Sequence, residues 1–207
     1  PTATPAEQVI FLIPLVGRAH VGDWAQVSAA LARTLQGFRN QTDPRWRAVI
    51  CGQDRPDGVN FDDRVQFLPF TDRVEGNDKW DKLDRLARHL PTLGLRTGYA
   101  MPFDADDLLR DDAVARMVSG AAPGGWLVTQ GWVWDVGRDR IGAIGVVRRD
   151  GRPAGGVELG GLFGQHRGLH GRRGAQAEGV AVALRPDDGV GQRLGRQIRH
   201  LTLLGEV

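Results

Sequence analysis

The chain has 207 residues, 41% of them hydrophobic and 25% charged, enough for one good-sized core with or without an appendage. A net charge of +2 gives no reason to expect a nucleic-acid partner, and a lone cysteine, Cys51, excludes an internal disulfide and suits a reducing compartment. No stretch reaches the ~18 apolar residues of a membrane span and the sequence opens without a signal peptide's basic start, so a cytoplasmic protein is expected.

Residues 1–7 read as a loose leader. Val9-Ile-Phe-Leu-Ile13 is a continuous apolar run, the pattern of a parallel strand covered on both faces, and Pro14 ends it. After a loop through Val16 and His20, Asp23 and Gln26 stand three apart as a capping box. Trp24, Val27, Leu31, Leu35 and Phe38 recur at helical spacing and give the following helix one apolar face, until residues 40–44 break it. Arg47–Cys51 is a second strand, completing a βαβ unit whose crossover should be right-handed. A polar turn leads to a third strand, Val65–Phe70. Asn77 or Asp78 then caps a helix predicted to carry Trp80, Leu83, Ala87 and Leu90 inward and to stop at Pro91. Gly98–Phe103 is the fourth strand, and a short helix is predicted over Asp111–Ser119. Past a turn-rich break at 120–125, Trp126–Trp134 and Ile141–Val147 read as strands joined through Gly137-Arg138-Asp139.

From about Arg148 the composition changes. Residues 149–207 hold 14 of the 29 glycines, and their nine arginines outnumber six acids. The chain is therefore divided into residues 1–148, an α/β domain with a mostly parallel central sheet and helices on both faces, and residues 149–207, a Gly/Arg-rich segment. Within that segment only Val180–Leu184 reads as a strand, and Arg193–Leu204 as a basic amphipathic helix. A shifted reading frame in a GC-rich gene would produce such a change, which translation of the other frames of the coding DNA would reveal.

The densest chemistry lies in Tyr99-Ala-Met-Pro-Phe-Asp-Ala-Asp-Asp-Leu-Leu109, where an apolar run ends in Asp104, Asp106 and Asp107. A strand that ends in acids puts them at its carboxyl edge, where open α/β sheets hold ligands. Two apart in extended backbone, Asp104 and Asp106 would point the same way and could hold one hard divalent cation. Aspartates also crowd turns and helix starts for purely structural reasons.

Phe103-Asp-Ala-Asp-Asp-Leu-Leu109 resembles the Asp-x-Asp signature of the A-type (GT-A) glycosyltransferases, especially the family 2 group. The resemblance implies a GT-A-like nucleotide-sugar-binding fold and transfer of a hexosyl or deoxyhexosyl group to a hydroxyl of a glycan, lipid or small molecule, with inversion. It implies Mn²⁺ or Mg²⁺ on Asp106 and Asp104, with Asp104 alternatively on ribose hydroxyls and Asp107 a helper at the metal or a turn acid. It places the donor against Pro14, Leu15 and Val16 after the first strand and against Asp54, or Asp57, after the second. Lys79, Lys82, Arg85 and Arg88 resemble a basic segment that faces the phosphates in relatives, and are equally readable as a solvated helix face. For the base that takes the acceptor proton, Asp135, Glu158 and Asp187 (with Asp188) are the candidates, none in a recognisable motif. Peripheral association with an inner membrane bearing the acceptor is compatible with this class.

Three further features have two readings each. The tryptophans of Gln130-Gly-Trp-Val-Trp134 are core residues or stacking faces for a sugar. His166, His170 and His200 are late candidates for the metal's shell, although the surrounding glycines argue against a helix that would unite the first two. Arg193–Arg199 would be the contact in a nucleic-acid reading. The absence of Gln-x-x-Arg-Trp argues against a processive polysaccharide synthase. A sugar-nucleotide pyrophosphorylase, or a non-catalytic nucleotide-sugar-binding relative, remains the alternative.

Overall fold

A computed structural model of the chain describes residues 6–120, 122, 125–128, 130–135, 140–145, 163–166 and 180–184. The first strand, β1 (Gln8–Pro14), lies between β2 (Trp46–Gly52) and β4 (Gly98–Pro102), parallel to both, and β2 pairs in parallel with β3 (Val65–Pro69). All five central residues of β1 are buried, as its unbroken apolar run requires.

Successive strand residues face opposite sides, so β1 feeds two cores. Val9, Phe11 and Ile13 join the helix α1 (Trp24–Arg39) and the short helix α3 (Ala113–Ser119) on one face, whereas Ile10 and Leu12 meet α2 (Lys79–His89) on the other. Helices therefore cover both faces of a mostly parallel sheet, an α/β arrangement. Asp23 caps α1 by accepting from the Gln26 N–H at 3.0 Å, and Trp24, Leu31, Leu35 and Phe38 form its buried stripe.

An aromatic cluster locks the first core. The rings of Phe11 and Phe38 stack with centroids 4.0 Å apart, and Phe103 meets both edge-on at 5.5 and 5.1 Å. Phe103 directly precedes the acidic residues, so this cluster anchors the point where the chain leaves β4.

Beyond β4 the main sheet continues antiparallel through β10 (Val180–Leu184) to β6 (Trp126–Leu127), giving the order β3-β2-β1-β4-β10-β6. The strand expected at Val180–Leu184 is thus present and extends the sheet. A second sheet orders β5 (Asp107–Leu109), β9 (Phe163–His166), β7 (Gln130–Asp135) and β8 (Arg140–Gly145). The strand expected over Trp126–Trp134 is divided, β6 lying in the main sheet and β7 in the second, where the hairpin β7–β8 pairs Asp135 with Arg140.

Three expectations need correction. The short helix predicted over Asp111–Ser119 starts only at Ala113, and Asp107–Leu109 before it forms a strand antiparallel to β9. His166 ends the strand β9, whose Gly164 hid it in the sequence. Trp80 is 38% exposed rather than inward, and the buried side of α2 is Lys82, Leu83, Leu86 and Ala87. Residues 193–204, Asp187, Asp188, Glu158, His170 and His200 lie outside the described residues.

Phe38→Ala should lower unfolding free energy by about 3–5 kcal/mol, because the cavity opens among three other aromatic rings. Urea denaturation with an unchanged slope and a lower midpoint is the expected readout.

Candidate functional site

Strands β1, β2 and β3 progress to one side of the sheet while β4 lies on the other, so the strand order reverses between β1 and β4. Chains leave β1 and β4 in opposite lateral directions at such a switch point, opening a crevice at the carboxyl edge. Three segments come to this edge: the loop after β1 with Pro14, Leu15 and Val16, the turn after β2 with Gln53 and Asp54, and the acids after β4. Backbone hydrogen bonds fix their heights. Leu15 N–H donates to Cys51 O at 2.8 Å, and Phe103 N–H donates to Leu12 O at 2.9 Å.

The acids occupy a tight turn, closed by the Asp107 N–H donating to Asp104 O at 3.2 Å. This turn replaces the extended backbone that would have aligned Asp104 and Asp106. Thr34 of α1 holds it from below: its hydroxyl lies 2.9 Å from Ala105 O and 2.8 Å from Asp107 O. Gln41, just past the same helix, donates to Arg110 O and accepts from the Val114 N–H at 3.0 Å, pinning the next stretch. Both polar residues are buried, and neither stood out in the sequence, because a threonine inside a helical apolar stripe and a glutamine after it carry no motif.

Asp106 is exposed, Asp104 is half-buried, and Asp107 is buried. Burial pushes the Asp107 carboxyl up to about 8, and the neighbouring charges of Asp104 and Asp106 push in the same direction, against the opposing pull of Lys79. No hydrogen bond reaches that carboxyl among the described residues. Lys79 meets the turn from α2, its Nζ 2.7 Å from Asp104 Oδ1.

Lys82 behaves differently from Lys79. It is 1% exposed, donates to Leu15 O and to Asp78 Oδ1 at 2.7 Å each, and lies 5.5 Å from the centre of the Phe70 ring. Gln53 donates to the other Asp78 oxygen at 2.5 Å. Burial opposes ionisation of Asp78, yet the hydrogen bonds from Lys82 and Gln53 outweigh it and hold the carboxyl below its ordinary value. This network ties the β1 loop, the β2 turn and α2 together. Its ammonium is engaged by protein atoms, so Lys82 supports the loop rather than reaching outward. Leu15 itself is buried, while Val16 is 40% exposed.

Asp54 accepts from the Arg18 backbone N–H at 2.8 Å, and the Arg18 guanidinium pairs with Asp57 at 2.7 Å. Both acids thus bind the residue that follows the β1 loop. Gly17 fits closely here, since a Cβ would stand 2.9 Å from the Gln53 side-chain oxygen. Cys51, at the end of β2, is an inert thiol: burial raises it to about 11, despite the opposing charges of Arg85 and Lys82.

Of the sequence-predicted residues, Pro14, Leu15, Val16, Asp54, Lys82, Asp104 and Asp106 all belong to segments at the carboxyl edge. Asp135 ends β7 in the second sheet, and Glu158 and Asp187 lie outside the described residues. Among the described residues, no three His, Cys, Asp or Glu side chains converge to hold a metal by themselves. The donor set that is present fits Mg²⁺ or Mn²⁺ in a narrower sense. Such ions commonly take one or two carboxylates and fill the remaining positions with water and substrate phosphate, and an ammonium ion pair already shows that Asp104 accepts a cation.

Compared with models of known protein families and with curated protein sequences, the chain matches none.

Removing the buried carboxylate should stabilise the fold. An unfolded Asp107 ionises near its ordinary value, 3.8, whereas the folded one keeps its proton until about 8. Ionisation therefore favours the unfolded chain, and stability is lost as pH rises through that window. In chelator-treated buffer at pH 8, Asp107→Asn should exceed the parent by a few kcal/mol, on the order of what such a shift implies. The two proteins should converge below pH 4, and denaturant midpoints across pH 3–9 would show it.

Proposed function

We propose that the carboxyl edge binds a nucleotide-sugar and that the chain is a metal-dependent glycosyltransferase with a GT-A-like fold. The observation that carries this reading is the convergence at one switch point of the β1 loop, the β2 turn and the acidic turn after β4. The Asp-Ala-Asp-Asp resemblance supports the same assignment from the sequence.

On this reading the base and ribose lie along Pro14–Val16, with Asp54 or Asp57 beside them and Asp104 near the ribose or metal. Asp106 and Asp104 would hold Mn²⁺ or Mg²⁺, which when bound supplies Lewis-acid stabilisation of the charge growing on a diphosphate leaving group. The protein's own part is mechanical and electrostatic. The Lys82–Asp78–Gln53 network keeps Leu15 and the surrounding backbone fixed, so the donor meets a preformed wall. Thr34 and the Phe11–Phe38–Phe103 cluster hold the acids at constant height. Preorganisation of this kind avoids reorganisation at the moment of bond cleavage.

The transferred group is a hexosyl or deoxyhexosyl unit and the acceptor a hydroxyl of a glycan, lipid or small molecule, with inversion at the anomeric carbon. Asp135, Glu158 and Asp187 remain the candidates for the base. Among the described residues, no helix is long and apolar enough to cross a membrane. A lipid acceptor would accordingly be met by peripheral association.

A thermal-shift series with UDP, GDP, ADP and dTDP, each with and without Mn²⁺, tests the proposal. At least one diphosphate should raise the melting temperature, more so with Mn²⁺, because a ligand that binds only the folded state stabilises it by mass action. Asp106→Ala should lose the Mn²⁺ increment while melting normally without ligand, since its side chain is exposed. No shift with any diphosphate would defeat the donor-site reading. Binding without donor hydrolysis or transfer would indicate a non-catalytic relative, and pyrophosphate-dependent formation of a nucleoside triphosphate a pyrophosphorylase.

A further inference from the structure

Lys79 already sits on the acidic turn. Its ammonium lies 2.7 Å from Asp104 Oδ1, and the two side chains are 40% and 43% exposed. Such a pair can open without unfolding anything. The chain's other lysine, Lys82, cannot: it is 1% exposed and fixed between Leu15 O and Asp78. Beside the Lys79–Asp104 pair lie the exposed Asp106 and the buried Asp107, whose carboxyl receives no hydrogen bond among the described residues. Lys79 thus brings a movable cation to a turn that carries three acids.

We propose that Lys79 holds the place of a divalent cation on Asp104, yields that oxygen when the cation arrives with a diphosphate, and then turns its ammonium to the diphosphate. This rests on the donor-site reading above and adds an exchange of partners to it. A carboxylate whose charge is already met by an ammonium is a poorer ligand for a metal than a bare one, because the ammonium cancels part of the attraction. A metal arriving alone also meets the positive charge of Lys79, and like charges at this range repel. A diphosphate reverses the sign, because its negative charge can hold the metal and the ammonium together.

The same side chain therefore opposes the bare metal and favours the metal with diphosphate. A lysine serving only as a surface ion pair would weaken or spare both. Lys79 belongs to the first turn of α2, and its stem has four rotatable carbons, so a change of partner requires no movement of the helix.

Titration of the full chain with Mn²⁺ alone, followed by electron paramagnetic resonance at low ionic strength, gives the first readout. Lys79→Gln should bind Mn²⁺ about two- to fivefold more tightly than the parent, the range expected from an exposed ion pair. Arg96→Gln controls for net charge: Arg96 precedes β4 at the opposite edge of the sheet and is 84% exposed, so its loss should leave Mn²⁺ affinity unchanged. The second readout is calorimetric titration with UDP, GDP, ADP and dTDP at saturating Mn²⁺, in which Lys79→Gln should bind the recognised diphosphate at least about threefold more weakly. Opposite signs in the two readouts support the exchange. Equal Mn²⁺ affinity in parent and Lys79→Gln, or equal tightening by Arg96→Gln, would overturn it while leaving the metal site standing. No Mn²⁺ binding by either protein, with or without diphosphates, would remove the metal reading and the exchange together.

Discussion

Burial of β1 on both faces constrains the rest of the molecule, because a strand with cores on either side can present polar chemistry only at its ends. Phe11 and Ile13 belong to the core under α1, and Ile10 and Leu12 to the core under α2. Every residue along the strand is committed to packing. The chain changes character at Pro14, and the loop beyond it is the first place where backbone groups can meet a ligand. Its neighbours β2 and β4 run parallel, so their ends arrive at the same edge. The gathering of polar groups there follows from parallel pairing around a fully apolar strand.

What the edge does with its charges differs from one side to the other. On the β2 side, Asp78 is paired with buried Lys82 and Gln53, and its carboxyl is held below its ordinary value. A charge pair whose lysine is fully buried is expensive to break, and it rigidifies what it touches. On the β4 side the balance is reversed. Asp107 is buried beside two other carboxylates, and its pKa is raised to about 8. One half of the edge holds its carboxylate ionised in a firm network, while the other keeps a buried carboxyl protonated. An uncompensated acidic group beside a crevice is unfavourable for folding and is the sort of arrangement that functional sites retain.

The elements carrying this arrangement were legible in the sequence where periodicity was strong. The apolar runs of β1 and β10 and the capped stripe of α1 each have one satisfactory folded form, and the structure contains them. Local spacing failed where a tertiary partner decided the outcome. Asp107-Leu-Leu109 is too short to show a period, and it is a strand because β9 lies beside it. The geometry of Asp104 and Asp106 depends on a turn whose closing hydrogen bond and Thr34 support come from outside the motif. Lys79 and Lys82 looked alike as basic residues three apart. One of them is a surface cation and the other a buried clamp, a distinction that only packing could supply.

That distinction bears on how any cation would be accommodated. No three acidic or histidine side chains among the described residues enclose a metal, so the protein alone offers an incomplete shell. A closed cage would bind the ion permanently and leave little room for phosphate. Two carboxylates on an exposed turn leave coordination positions for water and substrate, as small hard cations prefer. Asp107, buried behind those two groups, keeps its proton until about 8 and leaves the cation to them. On the proposed reading, affinity for the cation is therefore conditional on the diphosphate, and the firmness of the β2 side complements the openness of the β4 side. In that reading a rigid wall would fix the nucleotide, and the acidic turn would take the ion that the nucleotide brings.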